Sequence, residues 1–181
     1  LCPAEDGRCP ILDGGQELDR AERILVTREG NRIPILKSVI PITLDGEDVL
    51  LEAFVDITEH RQAEEGLQKL SRAVEATHDA VFITGVDGRI QFANLAFEEI
   101  TGYSQAEALG ENPRILKSGR HPDELYAEMW QAITSGRVWQ GEMTNRCKDG
   151  TLYEAQLTIS PMRDAAGEIE QFVAIQRDIT E

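Results

Sequence analysis

Hydrophobic positions change period several times between residues 80 and 180. In AVFITGVDGRIQFANLAFEEITGYS (80–104), apolar residues alternate through 81–84 and 90–92 around Val86-Asp87-Gly88. A period of two with an Asp-Gly turn between the runs predicts two short strands in a hairpin. The spacing then lengthens. Leu95, Phe97 and Ile100 form the apolar face of a helix, with Asn94 placed to cap its free amides and Gly102 to end it. A second helix is predicted over 121–136 (HPDELYAEMWQAITSG), where Leu125, Met129 and Ile133 recur at every fourth position and Gly136 is the stop. Alternation returns in three longer stretches, 139–146, 152–160 and 169–176. Two strands, a helical cassette and three strands predict an α+β domain, a five-stranded antiparallel sheet with helices on one face.

Part of this pattern occurs twice. REGNRIPILKSVIP (28–41) and KDGTLYEAQLTISP (148–161) each run from a turn through an alternating strand to a proline, with 11 residues from glycine to proline in both (41 − 30 and 161 − 150). LDGEDVLLEAFVDITE and RDAAGEIEQFVAIQRDITE follow, each a turn and then a strand closing on Asp-Ile-Thr-Glu. The offset is 120 at the glycines and 122 at the final glutamates, so the first copy has a hairpin two residues shorter. A period of this size is one small domain. On this alignment Cys2 falls opposite Pro122, so the first copy lacks everything corresponding to Leu70–His121, and the chain reads as a piece of a longer one. The expected organisation is 1–58 as the C-terminal part of a first domain, 59–76 as a connector helix and 77–181 as a complete second domain. In the connector, Ala63, Leu67, Leu70, Val74 and Thr77 fall at alternating spacings of 4 and 3, a heptad seam suited to pairing with a second chain. Gly66 weakens that helix by ~1 kcal/mol relative to Ala. The alternative is that the same face packs on its own domain.

Composition narrows the function classes. At 41% hydrophobic and 28% charged, the chain is globular, and no apolar run approaches the roughly 18 residues of a membrane-spanning helix. A net charge of −15 argues against direct contact with nucleic acid or an anionic membrane, both of which need a basic footprint. Three cysteines are too few for a disulfide framework, so a reducing, cytoplasmic setting is expected. Cys2 and Cys9, in CPAEDGRCP, lack C-x-x-C spacing; an inert loop, an oxidisable pair and a thiolate haem ligand are the readings open to them. His60, His78 and His121 show no metal-ligand spacing, no Ser-His-Asp set can be assembled, and Glu98-Glu99 reads as a solvated helix face. Catalysis by this stretch is not expected.

The motifs NLAFEEITGYS, KDGTLY, ISPMRD and FVAIQRDITE, in order across 70–181, resemble a PAS domain, and the first copy resembles the C-terminal half of another. The resemblance implies a sensing or relay module of a larger signalling protein, such as a histidine kinase or a diguanylate cyclase. It also implies an effector domain in the same chain and a homodimer formed through the connector helix. Within it, GENPRILKSG (110–119) is similar to the flavin loop of light-oxygen-voltage domains, where Asn-Cys-Arg supplies ring contacts, a photoactive thiol and a phosphate clamp. Asn112 and Arg114 match and Pro113 replaces the thiol, which excludes a light-driven covalent adduct there. Asn145 and Gln176 match two further flavin-contacting amides, while Ala155 stands where another asparagine is usual. The stretch from NPRILKSGRHP to NRCKDG, with Trp130, Trp139 and Asn145, is also similar to the FAD-bearing PAS domains of nitrogen-fixation redox regulators.

The resemblance therefore implies non-covalent FAD held by Asn112, Arg114, Trp130, Asn145 and Gln176, with Lys117 beside the phosphates. FMN, haem with His121 as a ligand, and a ligand-free core stay open as alternatives. The repeat supplies an internal control: Leu25 stands opposite Asn145 and Phe54 opposite Gln176, so the first copy is expected to use apolar core residues where the second has amides.

Overall fold

The structure, a computed structural model, describes residues 19–180. The chain divides into two compact units, Leu1–Lys69 and Leu70–Glu181. In the first, β1 (Asp19–Val26), β2 (Arg32–Leu44) and β3 (Glu47–Asp56) form an antiparallel sheet in that order. Helix α1 (Thr58–Glu75) follows and contains the division between the units.

The second unit opens with β4 (Ala80–Gly85) and β5 (Ile90–Ala93). Helices α2 (Leu95–Thr101) and α3 (Gln105–Ala108), a 3-10 turn (Pro113–Leu116) and α4 (Asp123–Thr134) come next. Strands β6 (Trp139–Arg146), β7 (Leu152–Arg163) and β8 (Ile169–Asp178) complete a five-stranded antiparallel sheet of order β5-β4-β8-β7-β6. The core lies between this sheet and the helices. Phe82 of β4 meets Phe97 of α2 edge to face, ring centroids 5.5 Å apart, and Ile90, Leu116, Ile133, Trp139 and Phe172 pack around them.

Asn94 does more than cap α2. Its side-chain oxygen accepts from the amides of Phe97 (3.1 Å) and Val81 (2.8 Å), and its nitrogen lies within reach of Val74 O, Thr77 Oγ1 and Asp79 O. One fully buried amide thus joins the end of α1, the start of β4 and the first turn of α2. Gly102, with φ at 74°, closes α2 in the left-handed region that favours glycine.

The repeat holds to the level of register. β1 and β6 correspond at an offset of 120; Leu25 pairs with Ile33 as Asn145 pairs with Tyr153, and Lys37 pairs with Phe54 as Leu157 pairs with Gln176. Four expectations need correction. The strand predicted over 152–160 runs on through Pro161 to Arg163, as β2 runs through Pro41. The β6 ladder stops at Ile159, so beyond it β7 pairs only with β8, and a residue without an N–H is tolerated on the open side. The helix predicted over 121–136 begins at Asp123, after an extended Pro122. Leu95 is 48% exposed, and Ala96 takes the buried place beside Phe97. Phe54 is 59% exposed rather than core, because the described first unit has no counterpart of α2 to α4 to cover that face.

Candidate functional site

A cavity of about 450 Å³ lies in the second unit between the sheet and the helical cassette. Apolar side chains dominate its walls, among them Phe82, Met129, Ile133, Leu157 and Phe172. All five residues singled out from the sequence, Asn112, Arg114, Trp130, Asn145 and Gln176, line it, and so does Lys117. Strand pairing explains part of this: β7 sits between β6 and β8, so inward residues of the flanking strands converge across it.

The amides on the sheet are buried and bonded to each other. Asn145 is 6% exposed and Gln176 1%. The Asn145 Nδ2 donates to Gln176 Oε1 at 3.2 Å, and Gln176 Nε2 donates to the Tyr153 hydroxyl at 2.6 Å. Tyr153 is the cross-strand partner of Asn145, so the three form a short polar chain across β6, β7 and β8. Burial pushes the Tyr153 phenol up to about 12, against the opposing pull of its bonds to Gln176 and Asn145, so it keeps its proton at neutral pH. A hydroxyl both donates and accepts, which lets this chain run in either direction.

On the helical side Asn112 has a different setting. Its oxygen accepts from the Arg114 amide (3.0 Å) and Arg114 Nε (3.2 Å), capping the 3-10 turn, and its nitrogen donates to Gly88 O at 2.9 Å. Pro113 occupies the first position of that turn, where proline's fixed φ suits and no N–H is needed. Gly88 has φ at 75°, and a Cβ there would sit 2.9 Å from the Asn112 amide, so the close approach depends on glycine. Trp130 is 42% exposed at the rim, its ring 5.8 Å from that of Phe172. Lys117 bonds Asp123 at 2.7 Å, which raises its pKa, and its ammonium lies 4.2 Å from the centre of the Tyr126 ring.

Two tyrosines escaped the sequence reading, and both were legible. Tyr153 shares the alternation phase of Ala155 and Leu157, the inward phase of β7. Tyr126 stands three residues before Met129 on the apolar side of α4. Its hydroxyl is buried at the cavity without a hydrogen-bond partner.

Other candidates fall away from ligand chemistry. His121 Nε2 accepts the Thr144 amide at 2.7 Å, so the lone pair that a haem iron needs is used to hold the edge of β6. Cys147 sits in the turn after β6, its sulfur 3.2 Å from Ile100 O, and burial raises its thiol pKa. Cys2 and Cys9 lie outside the described residues. No helix among the described residues is long and apolar enough to cross a membrane.

Comparison with known proteins agrees with the topology. A PAS fold model matches residues 68–179, and a PAS domain model matches 2–59. The chain is 41% identical over 107 residues to a nitrogen fixation regulatory protein of Klebsiella pneumoniae, covering 59% of this chain and 22% of that one. It is 30% identical over 151 residues to hybrid signal transduction histidine kinase L of Dictyostelium discoideum, covering 81% of this chain and 9% of that one. These relatives are multidomain proteins of which the chain spans only a part. The PAS domain of a Colwellia psychrerythraea protein superposes with a TM-score of 0.58 at 26% identity, covering 63% of this chain and 97% of that domain. Strand order, the cavity between sheet and cassette, and both sequence matches lead to one conclusion: this chain belongs to the PAS family.

Proposed function

We propose that the second module is a sensor that holds FAD without a covalent bond and reports its redox state to a larger signalling protein. The observation that carries this reading is the buried polar chain Asn145–Gln176–Tyr153 at the wall of an otherwise apolar cavity. A core that needed only packing has no use for two amides there, since each must be given a partner or cost about 1–3 kcal/mol. The residues fit a flat ring with a polar edge. The cavity lies within the roughly 300–1,000 Å³ range of ligand sites, and the Tyr126 hydroxyl at its wall still lacks a partner. Arg114 and Lys117 supply cationic partners for phosphate oxygens.

When bound, a flavin supplies a redox couple in which a ring nitrogen changes from hydrogen-bond acceptor to donor on two-electron reduction. Gln176 answers such a change by turning its amide. Its oxygen would then face the new donor and its Nε2 would donate to Tyr153, whereas with Nε2 toward the ring the Tyr153 hydroxyl would instead donate to the Gln176 oxygen. That movement lies beside the exit of the chain. Ile179 N donates to Glu154 O at 2.8 Å and Glu154 N to Thr180 Oγ1 at 3.0 Å, so the segment leaving β8 is pinned to the residue after Tyr153. A reversal of the polar chain thus biases the hold on the outgoing segment.

The test is a visible absorption spectrum of the purified protein, followed by denaturation to release any chromophore. Release of FAD with bleaching by dithionite supports the reading; a colourless protein that takes up no added FAD refutes it. Given flavin binding, replacing Gln176 with Leu retains the colour and uncouples output in the intact regulator, and unchanged signalling there refutes the role of Gln176. The second reading is a ligand-free relay, favoured by the fact that Asn145, Gln176 and Tyr153 already bond one another. In both readings the connector acts through a second copy, since no residue of α1 is buried and Leu67 and Leu70 are 69% and 67% exposed. The effector domain of the same chain is the partner that receives the signal.

A further inference from the structure

The geometry points to the Tyr126 hydroxyl as a donor to the ligand of the second module, an inference that rests on the FAD reading above. Tyr126 lies on α4 with its ring packed against the core and the Lys117 ammonium 4.2 Å from the ring centre. Its hydroxyl is the one buried side-chain polar atom without a hydrogen-bond partner among the described residues. Burial raises its pKa above the ordinary 10.0, so at neutral pH the phenol holds a proton to give. Native proteins leave few such groups unpaired.

The side chains beside it on α4 and on the preceding turn offer no strong acceptor. Three and four residues on, α4 presents Met129 and Trp130 to the cavity, a thioether that accepts weakly and an indole that only donates. Lys117 is committed to Asp123 and offers no acceptor. A ligand that fills the cavity and brings an acceptor oxygen or nitrogen to the α4 side satisfies the hydroxyl. In a flavin nucleotide that acceptor belongs either to the ring system and ribityl chain or to the phosphate, and binding of shorter analogues separates the two.

The sign of the effect identifies the role. Tyr126→Phe removes a hydroxyl that the ligand-free protein does not use and the loaded protein does. The experiment measures thermal midpoints of the 181-residue chain with and without FAD, and dissociation constants for riboflavin, FMN and FAD, for wild type and Y126F. Y126F without ligand is expected to melt at or above the wild-type midpoint and to bind FAD about tenfold more weakly. The same loss with riboflavin places the acceptor on the ring system or ribityl chain; a loss confined to FMN and FAD places it on the phosphate. Unchanged FAD affinity in Y126F overturns the inference, as does a ligand-free Y126F that melts below wild type. Wild-type protein that takes up no flavin overturns the cofactor reading and this inference together, which separates that failure from the other two.

Discussion

Gln176→Leu and Tyr153→Phe form a double-mutant cycle that measures whether the buried polar chain is one unit. Gln176 is 1% exposed, accepts from Asn145 at 3.2 Å and donates to Tyr153 at 2.6 Å. Leucine fills a similar volume, so the cavity penalty is small and the loss is polar. The Asn145 Nδ2 loses its acceptor and the Tyr153 hydroxyl a donor, a cost of about 2–3 kcal/mol. Tyr153→Phe alone leaves one Gln176 N–H buried without a partner, about 1–2 kcal/mol. In the double variant the Gln176–Tyr153 bond disappears with both of its ends, so the second substitution adds little. The expected total is about 2–3 kcal/mol rather than the sum of 3–5, a coupling of about 1–2 kcal/mol. Urea denaturation followed by tryptophan fluorescence reads this cleanly. Both tryptophans of the chain, Trp130 and Trp139, lie in the second unit, so the first unit is silent. Additivity within about 0.5 kcal/mol would show that the three groups do not act as a chain, and the argument from their pairing would fail.

Three further outcomes follow from named contacts. Asn94→Ala, which strips a fully buried residue from the amides of Val81 and Phe97 and from Val74, Thr77 and Asp79, is expected to cost about 3 kcal/mol, and a loss under 1 kcal/mol in the same assay contradicts its place as a hub. The Glu107 carboxyl, held by Lys148 at 2.5 Å and by Ser104 in a capping box, lies at about 2 against an ordinary 4.5. Its contribution is therefore complete above 4.5 and fades as pH falls toward 2, and a carboxyl titration by NMR should show Lys148→Met moving the midpoint upward. Tyr153 has the opposite sense: the unfolded phenol ionises near 10.0 and the folded one near 12, so stability is lost as pH rises between them. Tyr153→Phe should flatten that alkaline limb of the denaturation profile.

The secondary structure and the repeat were readable because they rest on local spacing. Alternation, Asp87-Gly88 and the Asn94 and Gly102 signals all act within a few residues of themselves, and the offset of 120 carried over to the strand register unchanged. Leu95, Phe54 and the strands that pass through Pro41 and Pro161 were misplaced for a shared reason. Exposure and tolerance of a missing N–H depend on which neighbour lies alongside, and that is set elsewhere in the chain.

The site divides along the same line. Chemistry written in residue type was legible: Pro113 has no thiol, and Asn112, Asn145 and Gln176 carry amides that an apolar core does not need. Their pairing was not legible, because Gln176 reaches Asn145 across 31 positions and Tyr153 across 23, distances that only strand order β8-β7-β6 closes. Two further residues changed meaning with tertiary structure. His121 has the composition of a ligand but spends its lone pair on the Thr144 amide, and Tyr126 looks like core packing until its hydroxyl is found buried and alone. The sequence by itself determined the strands, the helices, the repeat and the exclusion of a thiol adduct. Tertiary structure decided which polar groups have partners, because hydrogen bonding inside a protein is settled by what packing brings within about 3 Å rather than by what stands nearby in the chain.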